Sequence, residues 1–263
     1  MTGLLGSAWR YRGFIISSVA NDFRARVARS KLGTLWIVLQ PLAQALIFAI
    51  VLSNVLAAKL PGITNKFAFA VYLLSGLLCW TLFAEIVQRC LTVFIDNASL
   101  LKKMQFPRIS LPLVVVGTAA TANLILLAVI LVLIPILGIA LSPMLVWLPL
   151  LMLLTIAVAT GIGLLLGTLN VFSRDIGQVM QVVMQFWFWM TPIAYPANII
   201  PEPFKVVLKI NPVAALVTGY HDVLLYGRPP QISLLPAAIV AAVSLTLAFV
   251  IFRRASPEMV DVL

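Results

Sequence analysis

The stretch LPLVVVGTAATANLILLAVILVLIPIL, residues Leu111–Leu137, runs for 27 residues without a charged side chain. About 20 apolar residues in a helix cross the roughly 30 Å hydrocarbon core of a bilayer. This stretch is therefore long enough to span a membrane once. Because 62% of the chain is hydrophobic and only 10% is charged, similar runs recur on both sides of it.

Five further runs share these properties, so we predict an all-α integral membrane protein with six transmembrane helices. The spans are Leu35–Ala58, Phe67–Ile95, Leu111–Leu137, Met144–Asn170, Gln178–Tyr195 and Ile232–Phe252. They leave too little of the 263 residues for a separate soluble catalytic domain. We therefore expect one domain over residues 1–263. Its parts are a cytoplasmic segment at 1–34, spans one to five within 35–195, an external segment at 196–231, span six at 232–252 and a cytoplasmic tail at 253–263.

The net charge of +10 would suit nucleic-acid binding, but the basic residues are arranged as a membrane topology requires. Cytoplasmic loops carry an excess of Lys and Arg. With the N-terminus inside, 13 of the 18 basic residues lie in cytoplasmic segments and five lie outside. This count assigns Arg89 to the loop region between spans two and three. We thus predict that both termini are cytoplasmic. The chain is expected to contact membrane lipids and not nucleic acid.

The segment Phe204–Tyr226 is apolar enough to resemble a seventh span, but it contains two lysines, His221 and Asp222. Each charge near the bilayer centre costs roughly 2.5–3.5 kcal/mol. Its longest uncharged run, Ile210–Tyr220, has only 11 residues, a length that suits a re-entrant segment. We therefore predict external re-entrant helices between spans five and six, with His221 as a partnered surface histidine.

Residues Ser7–Lys31 predict a basic amphipathic helix on the cytoplasmic membrane surface. Ile16, Val19, Phe23 and Val27 recur at three- and four-residue spacing along its apolar face. A positive anchor that only fixes the topology explains the same residues.

A short basic segment follows span two. Ser99 can cap a short helix that ends before Pro107. Exposed charges beside an aromatic ring suit the docking of a soluble partner, although an ordinary positive cytoplasmic loop has the same composition. The candidate docking residues are Leu100, Leu101, Lys102, Lys103, Phe106, Pro107 and Arg108.

The chain carries no catalytic constellation and no cluster with metal-ligand spacing. It has a single histidine, and its two cysteines, Cys79 and Cys90, lie about 16 Å apart along one predicted helix. We interpret both cysteines as packing residues. No G-x-x-x-x-G-K-[ST] phosphate loop occurs, so any ATP hydrolysis must take place on another chain. We expect no metal and no cofactor on this one.

Two stripes of amide and aromatic side chains run along spans one and five. Amides facing lipid tails are costly, so these faces should point toward protein or water. Amides bond to hydroxyl groups, and aromatic faces stack on pyranose rings. Alternatively, the glutamines join helices together and the aromatics form an interfacial belt. We favour a translocation path lined by Trp36, Gln40, Gln44, Gln178, Gln181, Gln185, Phe188, Trp189 and Tyr195.

Four motifs in order resemble the transmembrane subunit of type-2 ABC exporters, in the branch that exports polysaccharides such as O antigen, capsule or teichoic acid. The motifs are RVARSKLGTLWIVLQP (26–41), SLLKKMQFPRISLP (99–112), LNVFSRDIGQVM with FWFWMTPIAYP (169–196) and NPVAALVTGYHDVLLYG (211–227). The resemblance runs nearly end to end. One departure is His221, where members of the family often carry an Arg after the Gly-Tyr pair.

The resemblance implies a permease of a bacterial cytoplasmic (inner) membrane that pairs with a second copy of itself and with two copies of an ABC ATPase. ATP and Mg would be bound by that ATPase. The segment Leu100–Arg108 would be the coupling helix, and Asn211, Pro212, Tyr220 and His221 would belong to an external gate. The substrate would be a lipid-linked polysaccharide, most simply O antigen. Two alternatives are a related permease for drugs or lipids and a membrane enzyme of glycan assembly.

Overall fold

The computed structural model of the chain describes residues 11–28, 35–55, 67–103, 108–197, 200 and 205–259. Throughout these ranges the regular structure is helical, which confirms the predicted all-α class. The elements are α1 (Arg12–Ala28), α2 (Leu35–Val55), α3 (Ala68–Asp96), α4 (Ala98–Lys103), α5 (Ser110–Ile136), a 3-10 helix (Pro143–Trp147), α6 (Leu148–Phe172), α7 (Asp175–Trp189), α8 (Lys205–Ile210), α9 (Pro212–Leu224) and α10 (Leu235–Ala255).

Four helices of the described chain are long and apolar enough to cross a membrane: α3, α5, α6 with the 3-10 helix before it, and α10. They match predicted spans two, three, four and six to within a few residues. The helix α2 corresponds to span one, and its apolar stretch among the described residues is Leu35–Ile47. Residues 56–58, assigned to span one, lie outside the described residues.

Predicted span five is shorter than expected. The helix α7 has 15 residues and ends at Trp189, and the chain then turns irregularly through Tyr195. Proline disfavours helical geometry in the residue before it and donates no backbone hydrogen bond. Pro192 therefore explains why the helix does not reach Tyr195, although the run stays apolar.

The helix α3 is the centre of the bundle. Of its most apolar 18-residue window, 78% is buried inside the protein, against 28–44% for the other three long helices. It packs most extensively on α6, and also on α5, α9 and α2. The exposed leucines and valines of the outer helices are consistent with a lipid-facing surface.

Two glycines let α6 approach α3 closely. A Cβ added at Gly163 would lie 2.8 Å from the Cβ of Cys90, and one added at Gly167 would collide with the carbonyl oxygen of Cys90. Gly163 and Gly167 are four residues apart, a spacing that allows helix backbones to pack tightly in membranes. Cys79 and Cys90 are both buried and unbridged, in agreement with their interpretation as packing residues.

Hydrogen bonds between distant parts of the sequence define the two ends of the bundle. At one end, the hydroxyl of Ser142 donates to the carbonyl of Gly227 at 2.9 Å. At the other, Asn170 donates to the carbonyl of Leu91 at 2.9 Å. The loop after α5 thus shares an end with the segment after α9, while the turn after α6 shares the opposite end with the last turns of α3. This grouping agrees with the alternating topology that we predicted.

The helix α1 covers residues 12–28 of the predicted surface helix, and the remaining residues of Ser7–Lys31 are not all among those described. It packs on α5. Val19 and Phe23 are half-buried, but Ile16 is 67% exposed. Ile16 therefore does not pack on the other helices, and its place on an apolar face that meets the membrane surface stays a prediction.

Candidate translocation groove and gate

The amide and aromatic stripes of α2 and α7 converge on two adjoining cavities that flank α3. The first has a volume of about 740 Å³ and is lined by side chains of α2, α3 and α7, with Asn170 and Arg174 at one end. Its predicted path residues are Gln44, Gln178, Gln181, Gln185, Phe188 and Trp189.

The second cavity, of about 550 Å³, lies between α2, α3 and α5 and is lined by Trp36, Gln40 and Gln44. Both cavities share Gln44, Trp80 and Gln88 as walls. We call the two together the groove. Eight of the nine predicted path residues therefore line one continuous region, although the relative placement of spans one and five could not be predicted.

Tyr195 is the predicted path residue that does not line the groove. Its hydroxyl donates to the carbonyl of Trp189 at 2.6 Å, and its own carbonyl accepts from the hydroxyl of Tyr72 at 2.9 Å. Tyr195 thus closes the turn after α7. The apolar run through Pro192 predicted that the helix includes Tyr195, whereas the helix ends at Trp189 before this proline.

One face of α7 packs on the other helices, and another face is exposed. Met180 and Met184 are buried against the bundle, whereas Gln178, Gln181 and Gln185 are exposed in the single chain. The glutamines therefore do not join the helices of this chain to one another. They leave amide donors and acceptors available to water, to hydroxyl groups or to another chain.

Aromatic rings fix α7 on α3 beside the groove. The ring of Phe188 meets Trp80 edge-on, with centroids 5.5 Å apart. Trp187 meets Phe83 in the same way at 5.1 Å. Edge-to-face pairs of this kind stabilise packing beyond the area that they bury. Trp189 remains 59% exposed, so it presents a ring at the groove mouth.

The groove also has a charged wall, which the sequence analysis did not assign to the path. Glu85, Gln88 and Arg89 of α3 line the second cavity. The assignment of Arg89 to a loop was wrong: it lies within α3, seven residues before the end of that helix, and pairs with Asp22 of α1 at 2.7 Å. The sequence contains a pattern that predicts this polar face, because three polar residues at i, i+3 and i+4 in an apolar helix lie on the same side.

The turn between α6 and α7 is held by Asn170. Its amide donates to the carbonyl of Leu91, and its oxygen accepts from the backbone N–H of Gly177 at 2.8 Å. A Cβ at Gly177 would lie 3.1 Å from that same oxygen. The asparagine thus orients the first turn of α7, and with it the start of the glutamine stripe.

The predicted gate residue Asn211 connects α7 to α9. Its side-chain oxygen accepts from the backbone N–H of Val213 at 3.0 Å, which caps α9, and from the indole N–H of Trp187 at 2.9 Å. Its amide donates to the hydroxyl of Thr191 at 3.0 Å. Pro212 occupies the first turn of α9, where a missing N–H costs nothing. The Asn-Pro pair therefore sets the angle between the two helices.

The helix α9 is buried among the other helices. It has 13 residues, about 20 Å of helix, which is too short to cross a bilayer. Tyr220 and His221 are 1% and 3% exposed. The interpretation of His221 as a surface residue was therefore wrong, because α9 packs on α3 and α6 and does not lie on the surface.

His221 stacks on the ring of Tyr72, with centroids 3.7 Å apart. Burial lowers the pKa of His221 to about 3, so the ring is neutral at physiological pH. Gly76 makes room for it, because a Cβ there would lie 3.0 Å from Nε2 of His221. A charged Arg at this position would find no comparable space in this packing.

Asp222 is the buried charge of this region. It is 1% exposed and accepts hydrogen bonds from Arg228 Nε at 2.8 Å and from the backbone N–H of Gln231 at 2.9 Å. Arg228 also stacks on the ring of Tyr226 at 4.7 Å. The carboxylate thus fastens the loop after α9, and its pairing explains how a charge is tolerated there.

Residues 100–103 of the predicted coupling segment lie in the short helix α4, which follows α3. Leu101 is buried, Leu100 is half-buried and Lys102 is exposed. Arg108 donates to the hydroxyl of Ser256 at 3.0 Å, which joins this segment to the end of α10. Phe106 and Pro107 lie outside the described residues, as does the side chain of Lys103.

Within the described ranges, no group of three or more His, Cys, Asp or Glu side chains could hold a metal ion. The polar side chains that line the groove include amides, indoles and an ion-paired cluster, and aliphatic side chains lie between them. Such a set can bind hydroxyl groups and ring faces.

Residues 15–225 match the family described as ABC-2 type transporter. The chain belongs to the ABC-2 type transporter family. The match spans α1 to α9 and therefore includes the groove, the α4 segment and the Asn-Pro pair. As an ABC-2 permease subunit, the chain is a multi-pass inner-membrane protein that works with an ATPase, and it is a transport subunit, not an enzyme.

Several relatives of this ABC-2 permease carry names that state what they export. The chain is 32% identical over 207 residues, 78% of each protein, to the O-antigen export system permease protein RfbA of Klebsiella pneumoniae. It is 29% identical over 268 residues, 99% of each protein, to the O-antigen export system permease protein RfbA of Myxococcus xanthus. It is 24% identical over 248 residues to the polysialic acid transport protein KpsM of Escherichia coli, covering 90% of this chain and 92% of the relative.

Proposed function

We propose that this chain is the permease half of an exporter that threads a lipid-linked polysaccharide, most simply O antigen, across the cytoplasmic membrane. The observation that carries the proposal is the groove, where glutamines of two separate helices meet beside Trp80, Phe188 and Trp189. Amides match sugar hydroxyls, and rings match the apolar faces of pyranoses. The names of the relatives from Klebsiella and Myxococcus point to the same substrate class.

The transport path is proposed to lie between two copies of the chain. In a single chain the glutamines of α7 are exposed, and a second copy facing them would enclose a polar channel. Many weak contacts along such a channel let a polymer slide, because no single one holds it tightly. The gate is proposed to be formed by α8 and α9 with Asn211, Pro212, Tyr220 and His221.

Coupling to ATP hydrolysis is proposed to pass through the segment Leu100–Arg108 on the cytoplasmic side. The ATPase, with its ATP and Mg, would contact the exposed face of α4, where Lys102 is accessible. The hydrogen bond from Arg108 to Ser256 would carry the movement to α10. Both termini are proposed to be cytoplasmic, with two ATPase copies serving two permeases.

A deletion strain tests the proposal. Surface polysaccharide should be lost, and glycan on its lipid carrier should accumulate inside the cell. A plasmid copy of the gene should restore export. Lost polymer without internal accumulation would point to a role in glycan assembly. Unchanged surface polymer would contradict polysaccharide export and favour a permease for drugs or lipids.

The path is tested with matched substitutions on α7. Replacing Gln181 and Gln185 by Leu should block polysaccharide export, because the groove wall loses its hydroxyl-binding groups. Replacing Val182 by Leu, on an exposed apolar face of the same helix, is the control and should be tolerated. A permease for apolar molecules would tolerate both changes.

A further inference from the structure

The helix α1 meets the spans at two neighbouring points. Val19 sits over Gly117 of α5, so that a Cβ at Gly117 would lie 2.7 Å from Cγ2 of Val19. Asp22, about one turn further along, accepts a hydrogen bond from Nη2 of Arg89 at 2.7 Å. An apolar contact and an ion pair therefore help to fasten α1 to α5 and α3. We call this contact region the joint.

Arg89 stands between two carboxylates. Its Nη2 pairs with Asp22, while its Nη1 lies 3.7 Å from Oε1 of Glu85, four residues earlier on the same helix. A second carboxylate is thus within reach of the guanidinium if Asp22 moves away, so Arg89 would keep an ionic partner.

The ion pair of the joint is partly open to water. The side chains of Arg89 and Asp22 are 27% and 32% exposed, and ion pairs with such access to water stabilise only modestly. Arg89 also forms part of the groove wall with Gln88. Arg89 therefore contacts α1 on one side and lines the groove on the other. Its position is expected to depend on α1 and on any molecule bound in the groove.

We propose that Arg89 is a positioning residue that links the groove to α1. In the arrangement described here it holds Asp22, and when α1 moves relative to α3 its guanidinium passes to Glu85. The exchange keeps a carboxylate beside Arg89 in both arrangements, so its charge stays paired. The proposal rests on the proposed transport function, since a joint that opens serves a protein that cycles between states.

A disulfide across the joint tests this directly. The Cβ built at Gly117 lies 3.7 Å from the Cβ of Val19, within the usual range for a disulfide. The double variant V19C/G117C should cross-link rapidly on oxidation in membranes. The native cysteines are both buried and should not compete. The variant V19C/G117S cannot cross-link and is the matched control.

In the V19C/G117C background, Asp22→Asn and Arg89→Gln should each slow cross-linking roughly two- to fivefold, as loss of a partly exposed pair predicts. Asp22→Glu and Arg89→Lys should restore most of the rate. A change of packing alone would not distinguish the charged from the neutral replacements. Unchanged rates in the neutral variants would overturn the role of the ion pair.

The same double variant tests opening of the joint. Oxidised V19C/G117C should lose export, reductant should restore it, and V19C/G117S should export under both conditions. Full export by the cross-linked protein would show that the joint stays closed and would overturn the proposal. Cross-linking rates are measured without any substrate, so they remain informative if the exported molecule is not a polysaccharide.

Discussion

Replacing Asn211 by Ala should loosen the connection between α7 and α9. The change removes the cap of α9, which costs about 0.5–2 kcal/mol. It also leaves the indole N–H of Trp187 without its acceptor at 2.9 Å, and an unsatisfied buried donor costs about 1–3 kcal/mol. We therefore expect the free energy of unfolding to fall by about 2–4 kcal/mol. We also expect export to fall, because the angle between α7 and α9 would no longer be held.

The matched variant is Asn211→Ser. A serine can still cap α9, but it does not reach Trp187, so the loss should shrink to about 1–3 kcal/mol. Unfolding in mixed SDS micelles, followed by tryptophan fluorescence, measures both variants against the parent protein.

A double-mutant cycle with Trp187→Phe isolates the hydrogen bond. If the indole N–H and the asparagine oxygen interact as the 2.9 Å distance indicates, the two substitutions should be coupled by about 1–2 kcal/mol. Additive effects would refute the reasoning. So would an Asn211→Ala variant with the stability of the parent.

Three further outcomes follow from the packing and from the groove. Gly167→Ala should cost about 1–3 kcal/mol by overpacking against the backbone of Cys90, and Gly167→Leu should abolish membrane accumulation on immunoblots. Replacing Gln181 and Gln185 together by Leu should leave the protein level unchanged while surface polysaccharide falls, as measured by gel and immunostaining. Asp222→Asn should cost about 1–3 kcal/mol, less than a fully buried pair because its arginine partner is half-exposed, and protease should then cleave the loop after α9 faster.

The spans could be predicted from the sequence because length and apolar composition determine them almost alone. The helices α3, α5, α6 and α10 begin and end within a few residues of the predictions. The prediction for span five was wrong at its C-terminal end, because Pro192 ends the helix although the sequence stays apolar. A hydropathy argument measures transfer into lipid and is insensitive to backbone geometry.

The residues that share one face of a helix were easier to predict than the residues of other helices that this face meets. The spacing of Gln178, Gln181 and Gln185 predicted a polar stripe, but only the fold brought Gln44 beside it. The prediction for His221 was wrong for a related reason: a histidine beside Asp222 looks exposed, whereas α9 inserts among α3, α6 and α10. Burial of a short segment depends on contacts far along the chain, and one sequence does not contain them explicitly.

The arrangement of α7 in the single chain argues for a polar partner along the glutamine stripe. Gln181 and Gln185 are exposed on one side of the helix, and Val182 and Phe186 are exposed beside them. The apolar pair can face lipid at no cost. The amides cannot, since each donor and acceptor left without a partner in hydrocarbon costs several kcal/mol. The proposed water-filled channel between two copies would satisfy both sides of the helix at once, whereas a solitary chain in the bilayer would satisfy only one.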